Sequence, residues 1–192
     1  MPEAGYTDMV GRILDHPGID VHLETSFTGT RGHRHDHVFW SGPLDAWFGF
    51  RLGRLGYRTL DFERFVESGD WQGCAVMNAL DPDMPYTRTT EHKHFAPWET
   101  HDLTICYREY SRACEADDIP YYPIRLVREK ALLAEYVALA QSATGVTFAG
   151  RLGTYRYLDM DVTIREALDT ARAFLAHRQG GTPMPSFVRA PL

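Results

Sequence analysis

The sequence predicts an α+β fold in which an antiparallel β-sheet of about six strands is flanked by helices. Segments that alternate apolar and polar residues fill the first two thirds of the chain, and a period of two is typical of strands with one buried face. Short turns such as Ser68–Asp70 and Asp81–Asp83 separate these segments. Short connections favour antiparallel pairing. After Pro123 the apolar residues recur at helical spacing, which places the main helices after the sheet.

The N-terminal elements follow from the same two periods. Met9 and Ile13 share a face of a short helix, which Pro17 and Gly18 end. The alternating or continuous apolar segments that follow predict strands over Val21–Thr25, Val38–Trp40, Tyr57–Phe65, Cys74–Asn78, Tyr86–Phe95 and Leu103–Tyr107.

Two helices and one short strand are predicted in the last third of the chain. The first helix spans Lys130–Ser142, and we expect the strand Val146–Ala149 to lie apart from the main sheet or on its edge. The second helix spans Val162–His177, with a capping-box pattern at Thr163–Glu166. Its predicted buried stripe comprises Ile164, Leu168, Ala171 and Leu175. We expect one domain over residues 1–178 and an extended or mobile tail over 179–192.

Composition excludes several classes of protein. The 192 residues include 44% hydrophobic and 24% charged residues, and the net charge is −6. These values are typical of a globular protein and argue against binding to nucleic acid or to a membrane surface. No apolar segment approaches the roughly 20 residues of a membrane span, and no signal peptide is visible. The three cysteines lack metal-site spacing and indicate reduced thiols, so we expect a cytoplasmic protein.

Four patterns are candidates for chemistry, and one of them is the pair of tyrosine-rich segments Tyr107–Tyr110 and Tyr121–Pro123, whose rings would stack on a sugar or pack in a core. His33, His35 and His37 would point to one side of an extended chain, which suits an imidazole metal site, although a solvated turn that leads into a strand is the more ordinary explanation. Arg88 lies in an alternating polar segment that would hold phosphate or form the outer face of a strand. The glycine-rich run Gly150–Asp161 leads from a strand to a helix and can receive a pyrophosphate. No GxGxxG motif is present, so no complete Rossmann domain is predicted.

These segments resemble the UDP-galactopyranose mutase family, whose flavoenzymes interconvert pyranose and furanose forms of a sugar nucleotide. The similarity covers roughly residues 5–176 and rests on motifs in the family's order: Ser41–Asp45, Tyr57–Leu60, Pro85–Arg88, Glu91–Lys93, Arg108–Ser111, Tyr121–Ile124 and Gly150–Asp161. It implies a nucleoside diphosphate hexose as the ligand. It also implies that residues 146–177 are a remnant strand and helix of a flavin-binding domain.

The resemblance carries roles over to individual positions. Arg88 would contact the diphosphate at the active site, and Glu109 would lie near the sugar. Asp159 would lie at the sugar end, which makes Glu109, Asp159 and Arg88 the expected catalytic residues. The expected diphosphate-binding residues are Arg88, Tyr122, Arg151, Tyr155 and Tyr157.

Because family members are about twice as long, three interpretations arise. The first is a flavin-free mutase that needs Mg²⁺ or Mn²⁺ and acts on a GDP-hexose, with the sugar's own 4-OH attacking C1. Asp159 and Asp161 are its expected metal ligands, with His33, His35 and His37 as the second choice. The other interpretations are a sugar-nucleotide-binding module without catalysis and one half of a split FAD-dependent mutase. We favour the first, and we expect a homo-oligomer because a partial fold would expose apolar surface.

Overall fold

The computed structural model of the protein describes residues 1–27 and 35–191. The chain forms two compact units. The first comprises Met1–Thr28 and Leu60–Ser111, and the second comprises Gly29–Thr59 and Arg112–Leu192. Within the described ranges, no helix combines the length and apolarity needed to cross a bilayer.

Five strands form the main sheet. They are β2 (Tyr57–Ser68), β3 (Val76–Asn78), β4 (Arg88–Glu91), β5 (Leu103–Ala113) and β6 (Tyr122–Pro123), in the order β3-β4-β5-β2-β6. The pairs β3–β4, β4–β5 and β2–β6 are antiparallel, as the short turns predicted. The register between β4 and β5 places Arg88 opposite Glu109. A single turn of 3₁₀ helix, His92–Phe95, follows β4.

A second, two-stranded sheet lies in the second unit. It pairs β1 (Val38–Trp40) in parallel with β7 (Val146–Phe148), so the strand predicted at 146–149 lies apart from the main sheet. The other edge of β7 is covered by the C-terminal segment, because the Phe148 amide donates to the Ser186 carbonyl at 2.8 Å. Phe187 also stacks on Phe148, with ring centroids 5.4 Å apart.

In the described part of the chain, five helices complete the fold: α1 (Gly5–Leu14), α2 (Leu44–Trp47), α3 (Val127–Ser142), α4 (Gly150–Gly153) and α5 (Met160–Gly180). The hydrophobic core of the second unit forms where α3 and β7 pack together. Its members are Leu44, Leu55, Tyr57, Leu133, Tyr136, Val137, Ala140, Val146, Phe148 and Tyr155. The four α3 residues in this set have the spacing that predicted the helix.

The predicted α+β class is confirmed, with several local differences. The strand predicted over Tyr86–Phe95 is shorter, because β4 spans Arg88–Glu91 and His92–Phe95 form the 3₁₀ turn. Residues 21–25 form no strand, and α5 begins at Met160 with Asp159 as its N-cap, two residues earlier than predicted. The apolar stripe of α5 was predicted to be buried and is exposed, with Ile164, Leu168 and Leu175 at 58%, 52% and 59%. The spacing of apolar residues identifies a helix but does not tell whether a partner covers that face.

Candidate functional site

In the second unit, Arg151 packs against two tyrosine rings. Its guanidinium carbon lies 5.0 Å from the ring centroid of Tyr122 and 4.8 Å from that of Tyr157. The two rings are stacked on each other at 5.8 Å with an interplanar angle of 18°. Arg151 and both rings were expected to bind the diphosphate, and the fold brings these three together. The arrangement combines a positive charge with aromatic surface, and Tyr157 is 62% exposed.

The backbone around Arg151 fixes the direction of its guanidinium group. Gly150 has a φ of +73°, in the left-handed region that glycine tolerates, where β7 turns into α4. Arg151 then donates from Nε and Nη2 to the carbonyl of Leu158, with the Nε bond at 3.1 Å. Nη1 also donates to the Tyr121 carbonyl at 3.5 Å, so one N–H group on each terminal nitrogen of the fork is left for an anion.

Tyr155, also predicted to bind the diphosphate, lies in the core. Its side chain is fully buried, and its hydroxyl donates to the carbonyls of Gly56, at 2.6 Å, and Ile124. Burial raises the pKa of this phenol, so it stays protonated. Tyr155 thereby ties the turn after α4 to β2 and β6 and supports Arg151 from within.

The two aspartates predicted to hold a metal lie at the start of α5. Asp159 is the N-cap and Asp161 lies in the first turn, and both are exposed. The Asp159 carboxylate makes no capping hydrogen bond, while its carbonyl accepts the amide and the hydroxyl of Thr163, each at 2.9 Å. Nearby, Nη1 of Arg156 contacts both carboxylate oxygens of Glu166 at 3.0 Å.

In the first unit, the other two predicted active-site residues form an ion pair. Nε of Arg88 lies 3.2 Å from Oε1 of Glu109 across the β4–β5 ladder. Thr87 orients the carboxylate by donating from Oγ1 to Oε1 at 3.1 Å. Glu109 is largely buried, whereas the Arg88 side chain keeps 40% of its surface exposed. The pair therefore presents a guanidinium group that is held by one carboxylate and still reaches solvent.

The first unit contains a polar network to which the sequence analysis assigned no role, although two of its members, Arg108 and Tyr110, lie in the motif Arg108–Ser111. The Glu63 carboxylate accepts the Tyr110 hydroxyl at 2.7 Å and Nη1 of Arg108 at 3.2 Å. These two bonds, that from Tyr110 above all, lower the pKa of Glu63. The Arg108 guanidinium in turn lies 4.6 Å from the Phe65 ring. The sequence signal for this network was the alternation of charged and aromatic residues along β2 and β5.

A second unpredicted feature is the buried carboxylate of Glu91. It accepts the amides of Trp71 at 3.0 Å and Gln72 at 2.8 Å, and it is fully buried. Burial alone would raise its pKa, but the two amide bonds outweigh burial and lower it. Glu91 thus anchors the segment after β2 to the end of β4.

Metal-ligating groups come together at one place in the described part of the chain, where one ligand atom each from Asp70, Glu91 and His94 lie within 4.8 Å of one another. This group does not contain Asp159, Asp161 or the predicted histidines. His33 lies outside the described residues. His37 is engaged elsewhere, with Nε2 2.9 Å from Oγ1 of Thr147.

A dinucleotide cradle needs glycines whose missing side chains leave room for phosphate. In this structure, atoms of Trp40 fill the space next to Gly42 and Gly153. A Cβ on Gly153 would lie 2.6 Å from the Trp40 carbonyl oxygen, and one on Gly42 would lie 2.6 Å from the Trp40 indole. In addition, β7 leads into the four-residue α4 rather than a long helix. The described residues therefore do not by themselves fit the ADP portion of FAD.

Known proteins are similar to this chain over nearly its whole length. The family profile of UDP-galactopyranose mutase matches residues 1–157. A probable UDP-galactopyranose mutase of Klebsiella pneumoniae is 57% identical over 97% of this chain and 49% of its own length. The dTDP-fucopyranose mutase of Escherichia coli is 44% identical over 93% of this chain and 49% of its own length. The chain thus spans about half the length of the curated relatives it matches.

A solved structure shares the fold. The crystal structure of a reduced UDP-galactopyranose mutase superposes with a TM-score of 0.55 and 12% identity, over 80% of this chain and 46% of that one. Mutases of the matching family depend on FAD, so the prediction of a flavin-free enzyme that uses Mg²⁺ or Mn²⁺ is wrong. That prediction arose because the absence of a GxGxxG motif from this sequence was taken to hold for the whole enzyme. The matched region, however, is about half the length of the relatives.

Proposed function

The chain belongs to the UDP-galactopyranose mutase family, and from this premise we propose that it supplies the nucleotide-sugar-binding half of an FAD-dependent isomerase. The reaction interconverts the pyranose and furanose forms of a hexose attached to a nucleoside diphosphate. This proposal replaces the flavin-free interpretation with the half-enzyme interpretation.

The packing of Arg151 against the stacked rings of Tyr122 and Tyr157 carries the proposal. A nucleoside diphosphate sugar offers two kinds of surface, a doubly charged pyrophosphate and flat or ring-shaped groups. The Arg151 fork provides charge-assisted hydrogen bonds for the first, and the exposed face of Tyr157 provides stacking area for the second. Because Leu158 already fixes the guanidinium group, little side-chain entropy is lost on binding.

Arg88 and Glu109 are proposed contributors within the first unit. The guanidinium group of Arg88 is of the kind that binds phosphate oxygens. Glu109 neutralises part of that charge and is held by Thr87. The carboxylate oxygens of Glu109 can accept a hydrogen bond from a sugar hydroxyl. The Asp159 carboxylate is exposed and makes no capping hydrogen bond, so it too can accept a hydrogen bond from a sugar hydroxyl.

We propose a pyrimidine nucleotide as the substrate. The names of the relatives specify UDP-galactopyranose and dTDP-fucopyranose, and two of these relatives share 57% and 44% of the aligned residues with this chain. A UDP- or dTDP-hexose therefore has more support than the GDP-hexose predicted from the sequence. A binding module without catalysis would use the same residues and differs only in the absence of turnover.

Calorimetric titration of the 192-residue chain with UDP-galactose tests the proposal. Saturable binding is expected, and Arg151→Ala should weaken it at least about tenfold, since a charge-assisted hydrogen bond contributes about 1.5–3 kcal/mol. Arg172→Ala is the matched control, because Arg172 is 73% exposed and pairs only with a neighbour one helical turn away. Equal affinity of the two variants would remove Arg151 from the binding site. Absence of binding to UDP-, dTDP- and GDP-hexoses alike would overturn the proposal.

A further inference from the structure

We propose that Asp70, Glu91 and His94 form a binding site for Zn²⁺ or a similar divalent transition-metal ion, which ties the loop after β2 to the end of β4. All three residues lie in the first unit. The site is separate from Asp159 and Asp161, and its ion stabilises the fold and takes no part in the isomerase reaction. The inference therefore does not depend on the proposed function.

The three side chains offer ligand atoms at the spacing of a metal site. Nε2 of His94 lies 3.1 Å from Oδ1 of Asp70 and 3.5 Å from Oε2 of Glu91. In a tetrahedral zinc site, metal–ligand distances of about 2.0–2.2 Å put neighbouring ligands about 3.3–3.6 Å apart. An ion can therefore enter this group with small movements of the side chains.

The backbone already holds the two carboxylates in place. Oε1 of Glu91 accepts the Trp71 amide at 3.0 Å, and Oε2 accepts the Gln72 amide at 2.8 Å. Oδ1 of Asp70 accepts the Gly73 amide at 2.8 Å. An ionised carboxylate has about four lone-pair sites, so these bonds leave acceptor positions for a cation. Because the ligands come from a loop, a strand end and a 3₁₀ turn, one ion would cross-link three parts of the chain.

An independent observation is the buried hydroxyl group of Thr104 beside Glu91. Thr104 is 1% exposed, and its Oγ1 atom has no hydrogen-bond partner in the described part of the chain. Burial raises the pKa of Glu91, whereas the two backbone amides and this hydroxyl lower it, so Oγ1 lies close to the carboxylate. Buried polar atoms almost always have a partner. An unsatisfied hydroxyl here indicates a further polar group beside Glu91, which the ion or its bound water supplies.

The charges of the cluster favour a cation. The negative charge of Asp70 acts in the same direction as burial and raises the pKa of Glu91. A divalent ion between the two carboxylates neutralises both and removes their repulsion. The neighbouring cation, Lys93, donates from Nζ to the carbonyls of Gly69 at 2.6 Å and His101 at 3.3 Å. Its ammonium group is therefore already bound by backbone oxygens.

The donor set selects the kind of ion. One imidazole nitrogen and two carboxylate oxygens suit Zn²⁺ and related transition metals better than Mg²⁺, which prefers oxygen ligands and gives up its water reluctantly. The side chain of Asp70 is 52% exposed and that of His94 is 25% exposed. An ion can therefore enter from solvent and keep a water molecule as its fourth ligand.

Calorimetric titration of the metal-free 192-residue chain with ZnCl₂ tests the site. We expect saturable binding that Asp70→Asn and His94→Ala each weaken at least about tenfold, since the loss of even a group that only supports a ligand lowers metal affinity about 10–100-fold. His101→Ala is the matched control, because His101 also pairs with a carboxylate, that of Glu99 at 2.8 Å, and its side chain is 55% exposed. Zinc should raise the melting temperature of the wild type and of the control, but not that of either site variant.

Each outcome decides for or against the site. Asn keeps an oxygen acceptor for the Gly73 amide, so Asp70→Asn should retain the circular dichroism spectrum of the wild type and remains informative if His94→Ala unfolds. Equal zinc affinity of the wild type and both site variants would mean an adventitious ion only and would overturn the proposal. Equal weakening in His101→Ala, or absence of saturable binding, would also overturn it. Arg151→Ala should bind zinc as the wild type does, so this proposal and the nucleotide-binding proposal can fail separately.

Discussion

Replacing Arg151 with lysine tests the geometry of the candidate site more sharply than removing its charge. Lysine keeps the positive charge but lacks the planar fork that donates twice to the Leu158 carbonyl and packs against Tyr122 and Tyr157. At least one charge-assisted hydrogen bond is lost, which is worth about 1.5–3 kcal/mol. The stacking energy, about 0.5–2 kcal/mol for each ring, is also reduced.

We therefore expect Arg151→Lys to lower the free energy of unfolding by about 2 kcal/mol and to weaken UDP-galactose binding at least about tenfold. Urea unfolding followed by tryptophan fluorescence measures the first quantity, because Trp40 and Trp47 both lie in the second unit. Calorimetry measures the second. Arg172→Lys, at an exposed position, should change stability by less than about 0.5 kcal/mol. If Arg151→Lys matches the wild type in both assays, the fork does not organise this site.

Three further perturbations have defined outcomes. Glu91→Gln should lower the free energy of unfolding of the first unit by about 1–3 kcal/mol, because the backbone amides of Trp71 and Gln72 lose a carboxylate as their acceptor. The control in the same urea unfolding is Glu99→Gln, at a half-exposed carboxylate. Tyr155→Phe should cost a similar amount, about 1–3 kcal/mol, by leaving two carbonyls without their hydroxyl donor. The hydrogen bonds from Arg112 lower the pKa of Asp118 from 3.8 to about 2. The ionised Asp118 carboxylate therefore stabilises the folded state above pH 3.8, and this stabilisation is lost as the pH falls to about 2. The difference in urea midpoint between the wild type and Asp118→Asn should accordingly vanish in acid, and a difference that persists below pH 2 would contradict this assignment.

Local periodicity predicted the elements but not their partners. Alternation identified β2 and β5, and the spacing of Leu133, Tyr136 and Val137 identified α3 together with its buried face. The parallel pairing of Val38 with Val146 joins segments more than a hundred positions apart. No local pattern specifies such a contact. The same limit explains why the stripe on α5 was predicted to be buried: a period shows which residues share a face, not what lies against it.

The site was predictable as a set of residue types and not as a set of orientations. The resemblance selected Arg151, Tyr122 and Tyr157, which the fold brings together. It also selected Tyr155, whose hydroxyl reaches carbonyls 99 and 31 positions away and is buried among them. Burial of this kind depends on long-range packing and leaves no signal in the neighbouring sequence. Glu91 was missed for the same reason, since a glutamate at the end of a strand is usually solvated.

The most direct test of the half-enzyme proposal is chromatographic. This chain is co-expressed with the tagged part of the Klebsiella relative that it does not match, and the co-purified complex is incubated with UDP-galactopyranose, FAD and a reductant, with and without EDTA. We predict conversion to the furanose form in both samples and its loss in a complex that contains Arg151→Ala. Absence of conversion in a complex that binds both FAD and UDP-galactose, or conversion that requires a metal ion, would contradict the account.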